Sequence, residues 1–509
     1  MTEHFYQNPI LCADYSDPDI VRVGNDFFMV SSSFNHMPAL PILHSTDLVN
    51  WEIINHVFST LPLEGYGEFQ PGKGVWAPSI RWHANKLWVF FSTPDEGIFM
   101  CNTDDPWGKW SAPHCVQPAK GWIDPCPFWD DNGQAWLVHA FAHSRSGVKH
   151  KLQLFAMSAD GTSLIGEGRM IYDGSSDQPT LEGPKVYKRG EWYYIFAPAG
   201  SVETGWETVL RAKSMTGPWE AKNVLFQGDT SVNGPHQGGW VELDDGECWF
   251  VHFQDAHLYG RIVHLQPMRW HSDGWPRIGE PLDDSGAGQP VMRWQYPASL
   301  PPSSPRTPQT SDDFADGEPG LQWQWQANPN PEWLLPGKDQ LTLRCNPMPQ
   351  PAEKRSFYWL PNLLLQKFPA WQFSAQTSLK LNASSVGDSG GLVVYGERYA
   401  ALMLVKQAED FQLLWVTGWM SDAGVVHENR QIIAKGDAAC EMKVCVSRGG
   451  ICQFSWRQQN GDWQRVPRIF AAGKGKWVGA KVGLVALSLE DAASRGSCSF
   501  DSFSVDSGR

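Results

Sequence analysis

A chain of 509 residues is longer than one hydrophobic core usually organises, so at least two domains are expected. With 42 % hydrophobic and 19 % charged residues it has the apolar content to fold, and a formal net charge of −14 argues against nucleic acid or an anionic membrane surface as partner. No run approaches the roughly 18 apolar residues of a membrane span. The opening residues lack the basic segment and apolar stretch of an export leader, so a cytoplasmic location is expected, with a periplasmic one as the alternative.

In chain order, an aromatic strand preceded by a polar or glycine turn recurs five times: Gly24 to Val30, Asn85 to Phe91, Gly133 to Val138, Gly190 to Phe196 and Gly246 to Val251. Several units close on a tryptophan-bearing turn, among them Leu48-Val49-Asn50-Trp51, Trp107-Gly108-Lys109-Trp110, Gly217-Pro218-Trp219 and Asp273-Gly274-Trp275-Pro276. Short strands recurring every roughly 50–60 residues, without helical periodicity, predict a five-bladed β-propeller over residues 1–298. The proline-rich stretch Pro301 to Pro308 cannot pair in a sheet, so 299–310 reads as a linker. Beyond it, strand-like runs at Phe373 to Leu381, Gly391 to Tyr395, Ala401 to Val405 and Val482 to Leu487 predict a β-sandwich over 311–509, giving an all-β protein. The ten cysteines are scattered without CxxC spacing, which favours reduced, buried thiols. Any one of the 27 tryptophans reads first as core, and together they also suit stacking on sugar rings.

Three acidic residues lie in short proline-containing segments just before apolar strands: Asp17 in Ser16-Asp17-Pro18, Asp124 in Ile123-Asp124-Pro125 and Glu182 in Leu181-Glu182-Gly183-Pro184. Taken singly, Asp-Pro and Glu-Gly-Pro read first as turn formers. In a propeller, however, these segments belong to different blades whose inner strands converge on one axis. Glycosidic cleavage needs a proton donor and a second carboxylate, and a third carboxyl nearby can tune the donor.

These segments, together with Asn8-Pro9-Ile10-Leu11, Gly74-Val75-Trp76-Ala77-Pro78-Ser79 and Gly260 to Pro267, resemble glycoside hydrolase family 43 in order and spacing over roughly residues 5–295. The resemblance implies a five-bladed propeller, often followed by a concanavalin-like, jelly-roll sandwich. It also implies inverting, exo-acting release of terminal α-L-arabinofuranosyl or β-D-xylosyl units from plant oligosaccharides. It makes Asp17 the general base, Glu182 the general acid and Asp124 the carboxyl that modulates it; Asp14 and Asp19 are rival bases. Trp76 and Phe34 become aromatic walls of the sugar pocket, and Arg261 a donor to sugar hydroxyls. His236 stands at the axis, as a core residue or a contact to a structural calcium ion; no cofactor is needed for the chemistry. Trp206 is a candidate for the leaving-group side. The aromatic strand Trp192 to Phe196 is expected to wall water off from Glu182. The rival reading is a carbohydrate-binding propeller without catalysis.

Overall fold

The structure, a computed structural model, describes residues 4–458, 461–490 and 493–507. Five units of four antiparallel strands follow one another: strands 19–58 form blade 1, 76–118 blade 2, 122–173 blade 3, 185–225 blade 4 and 236–278 blade 5, with the sheet of blade 4 extended to six strands by Gly288–Gln289, parallel to its fourth strand, and Glu280–Pro281. The first strand of each blade packs against its neighbours around the axis: Asp19–Val23, Trp76–His83, Trp122–Trp129, Lys185–Arg189 and His236–Glu242. The five aromatic runs that reveal the repeat are therefore the second strand of each blade, not its opening. Their side chains alternate between the two joints a blade makes with its neighbours, which is why they are so densely apolar.

Five apolar clusters fill the five joints between neighbouring blades. Phe27, Trp51, Phe90, Phe91, Phe196 and Phe250 are among the largest fully buried side chains in them. Burial of each such ring stabilises the fold by about 1.5–3 kcal/mol, and a blade has no core without the next one. The tryptophans of the closing turns belong to this packing. Trp51, for example, is fully buried and donates its Nε1–H to the Leu48 carbonyl at 2.8 Å.

The ring is closed by the ends of the propeller. Phe5–Gln7 pairs antiparallel with Arg293–Gln295, and Asn8 donates its amide to the Leu265 and Val291 carbonyls at 2.7 and 2.8 Å. The Asn-Pro-Ile-Leu motif is thus part of the closure. The proline-rich segment has no regular structure among 299–310 and lies along blade 1, where Ser303 donates to Asp47 and Gln309 to the Ile53 carbonyl.

The remaining residues form two eight-stranded antiparallel-rich sheets packed face to face. The strand Phe373–Asn382 alternates buried and more exposed residues, as a sheet with one face on a core requires. That core also holds Leu258, Tyr259 and Ile262 of the propeller. Among the described residues the only α-helix is His143–Ser146, and no helix is long and apolar enough to cross a membrane. All ten cysteines are unpaired, seven of them buried.

Candidate active site

At the propeller mouth lies a pocket of about 240 Å³ lined by Asp17, Asp124 and Glu182 together with Phe34, Trp76, Ala77, Ile123, Thr180, Ser201, Val202, Gln237, Arg261 and Trp477. Residues from all five blades thus meet there. The volume is below the roughly 300–1,000 Å³ that drug-sized ligands occupy, and suits one sugar ring with the start of a leaving group.

The backbone explains how the side chains reach the axis. Asp17, Phe34, Ala77, Asp124, Thr180, Ser201, Gln237 and Trp477 all have positive φ, so eight of the thirteen lining residues occupy the left-handed region that non-glycine residues seldom adopt. Three lie where the first strand of a blade slips register against the second: Ala77 between Trp76 and Ser79, Asp124 between Ile123 and Cys126, Gln237 between His236 and Gly238. Such bulges re-aim a side chain out of the sheet. The prolines Pro78 and Pro125 sit at two of these slips, where no ladder hydrogen bond is required of them.

Asp17 is almost fully buried and held at both oxygens. Arg261 Nη1 donates to Oδ1 at 2.9 Å, while the Ser16 and Ser32 hydroxyls donate to Oδ2 at 2.8 and 2.6 Å. Arg261 also donates to Ser16 Oγ and lies over the Phe253 ring, 5.0 Å from its centroid. Asp124 is buried and accepts the Gly183 N–H at 2.8 Å. Burial first, then the Glu182 carboxylate, push its carboxyl well above the ordinary value of 3.8. Glu182 lies next to His236, whose Nε2 is 3.0 Å from Oε1. Trp76 and Phe34 meet edge to face with centroids 6.2 Å apart, and Arg145 lies over the Trp76 ring at 5.2 Å.

The rival acids have other tasks. Asp19 accepts Arg81 Nη1 at 2.7 Å and the Ile80 N–H at 2.8 Å, joining blade 1 to blade 2. Asp14 accepts the backbone N–H groups of Arg261 and Gly479, at 2.8 and 2.9 Å.

Two expectations need correction. The strand Trp192–Ala199 does not wall the pocket: Tyr193 donates to Asp130, Tyr194 to the Gly274 carbonyl, and Trp192 lies under Arg211 and Lys213. Trp206 donates to Gln178 at 2.8 Å and packs under Gly200, behind the Ser201 wall of the pocket without lining it. The His236 ring is fully buried with its Nε2 at Glu182, and the described residues hold no group of three His, Cys, Asp or Glu side chains placed to share a metal.

Trp477 lay outside every sequence expectation. It belongs to the sandwich and projects from the glycine-rich run Gly473-Lys474-Gly475-Lys476-Trp477-Val478-Gly479 into the propeller pocket. It packs over Gly72 of the propeller, where an added Cβ would come within 3.0 Å of the indole. An aromatic residue isolated among three glycines was the available signal, because such a loop has no core of its own to bury the ring.

The model of glycosyl hydrolases family 43 matches residues 6–276, and that of the beta-xylosidase C-terminal concanavalin A-like domain matches 311–506. The chain belongs to glycosyl hydrolases family 43. It is 37 % identical over 498 residues to a protein of Xylanibacter ruminicola that bears the provisional name beta-xylosidase, covering 95 % of this chain and 87 % of that one. It is also 30 % identical over 302 residues to a non-reducing end alpha-L-arabinofuranosidase of Bacteroides ovatus, spanning 55 % of this chain and 54 % of that relative. The solved xylan beta-1,4-xylosidase of Bacillus halodurans superposes with a TM-score of 0.85 over 98 % of this chain and 99 % of that one, at 24 % identity, a likeness of fold. This family 43 chain is a glycoside hydrolase, in which the three carboxyls and the arginine face one shared pocket.

Proposed function

We propose that this family 43 hydrolase is an exo-acting, inverting glycosidase that releases terminal α-L-arabinofuranosyl or β-D-xylosyl units from hemicellulose or arabinan oligosaccharides. The observation that carries the reading is the convergence of Asp17, Asp124 and Glu182, from blades 1, 3 and 4, on one small pocket lined also by Trp477 of the sandwich. A wall from the sandwich on that side favours a chain end over a polymer threaded through a groove. The names of the relatives cover both pentosides, beta-xylosidase and alpha-L-arabinofuranosidase.

In this reading Asp17, fixed by Arg261 and two serine hydroxyls, takes a proton from water as the water oxygen bonds to the anomeric carbon. The bond from that carbon to the leaving oxygen breaks, and Glu182 gives that oxygen a proton. Asp124, its carboxyl raised by burial and then by the Glu182 carboxylate, stands beside the acid as the carboxyl that modulates it. Trp76 and Phe34 supply apolar faces for the ring, and His236 orients Glu182. Three converging carboxyls are an unfavourable arrangement for mere binding, which argues against a non-catalytic lectin.

The test is turnover of 4-nitrophenyl α-L-arabinofuranoside and β-D-xyloside by the purified wild type, with NMR of the first anomer released, and of the matching unactivated oligosaccharide, whose leaving oxygen needs a proton, by wild type and Glu182→Ala. The expected result is turnover of at least one pentoside with inverted configuration, and oligosaccharide turnover reduced about 10²–10⁴-fold in the variant. Turnover of neither pentoside, equal oligosaccharide turnover by both proteins, or retained configuration would overturn the assignment.

A further inference from the structure

The segment that carries Arg261 is built into the sandwich as much as into the propeller. The 3₁₀ turn His257–Tyr259 just before it buries Leu258 and Tyr259 in the sandwich core. The Ala480 N–H donates to the Leu258 carbonyl at 2.7 Å, and the Tyr259 hydroxyl donates to the Trp371 carbonyl at 2.8 Å. At the same place two backbones from different domains touch: a Cβ on Gly479 would lie 2.7 Å from Gly260 N, and one on Gly260 would lie 2.4 Å from Asp14 Cγ.

Asp14 stands between these strands with one oxygen committed to each. Oδ1 takes the N–H of Arg261, the residue that holds Asp17, and Oδ2 takes the N–H of Gly479, two positions after Trp477. Asp14 is 3 % exposed, and Lys367 and the buried Lys481 of the sandwich lie within its electrostatic reach. Hydrogen bonds to a buried carboxylate are about twice as strong as neutral ones, so this is a firm connection between the domains.

We infer that Asp14 is a positioning residue that couples the sandwich loop bearing Trp477 to the arginine bearing Asp17, so that the sandwich sets the shape of the sugar pocket. The inference rests on the pocket being the glycosidase site proposed above. An amide in place of the carboxylate can accept one of the two N–H groups and must present its own N–H to the other, which releases either the loop or the arginine.

The test is a double-mutant cycle with Asp14→Asn, Trp477→Ala and the combination, measured on the 4-nitrophenyl pentoside that the wild type turns over. Asp14→Asn is expected to raise KM about fivefold in the wild-type background and by less than about twofold when Trp477 is already Ala, while a fall in kcat arising through Arg261 persists in both. Equal effects on KM in the two backgrounds would show that Asp14 is merely structural and overturn the inference. If Asp14→Asn does not fold, Gly479→Ala displaces the same loop from the sandwich side and replaces it in the cycle. A readout independent of turnover is ¹⁹F NMR of 5-fluorotryptophan protein, with the Trp477 signal assigned by Trp477→Phe. That signal is expected to shift in the loop variant, and an unmoved signal would overturn the coupling. A wild type inactive on both pentosides would instead remove the glycosidase reading and leave the NMR result to decide the coupling.

Discussion

Three aspartates stand within six positions at the start of blade 1, Asp14, Asp17 and Asp19, and their partners separate them. Asp19 pairs with Arg81, Asp14 bridges two backbone amides, and Asp17 alone faces the pocket. Asp17→Asn is expected to fold and to lose about 10²–10⁴-fold in kcat even on activated leaving groups that spare Glu182 its role, as steady-state kinetics would show. Asp124 carries a consequence for stability. Its folded pKa is raised, so the native state binds more protons than the unfolded one above the ordinary value of 3.8. Stability contributed by the protonated form is complete below that value and declines as pH rises through the raised pKa. Asp124→Asn is therefore expected to melt higher than wild type at neutral pH, with the difference shrinking toward pH 4, and to lose activity. Melting curves at several pH values check the sign. The sequence singled out Asp17 from its neighbours only through the proline that follows it; the partners of Asp14 lie 247 and 465 positions away, where no local pattern reaches.

The strands themselves were legible because aromatic and β-branched runs between glycine turns have one stable use, a pleated surface buried on both faces. Their place within the blade was not. The second strand is the most apolar and announces the repeat, whereas the first carries the site on bulges that alternation of apolar residues does not reveal. The same limit explains the strand Trp192–Ala199, whose rings were placed near Glu182 by sequence proximity but face the joints between blades. The Glu-Gly-Pro turn shows how narrow the local tolerance is. Gly183 has a φ of 57° and donates to Asp124, and a Cβ there would lie 2.8 Å from the Gln237 side chain. Gly183→Ala is expected to lower stability by about 1–2 kcal/mol, the strain of a left-handed residue, and to lower kcat by more than that loss explains. Denaturant titration beside kinetics separates the two effects.

At the scale of the molecule, two domains were legible from composition and the proline-rich stretch, but their mutual dependence was not, since a shared core leaves no mark on either sequence. Leu258, Tyr259 and Ile262 belong to the propeller by chain order and to the sandwich by packing. A propeller truncated after residue 298 is expected to expose them and to be insoluble or inactive; a soluble, fully active fragment would contradict this, and size-exclusion chromatography with the pentoside assay decides it. The ring closure adds a constraint of time. Phe5 pairs with Gln295, 290 positions later, and at a synthesis rate of about 5–20 residues per second the first strand waits about 15–60 s for its partner to leave the ribosome. Through that interval the strand Phe5–Gln7 offers its unpaired edge to the cell, and the pocket, whose base and arginine come from opposite ends of the propeller, has no existence until the last blade arrives.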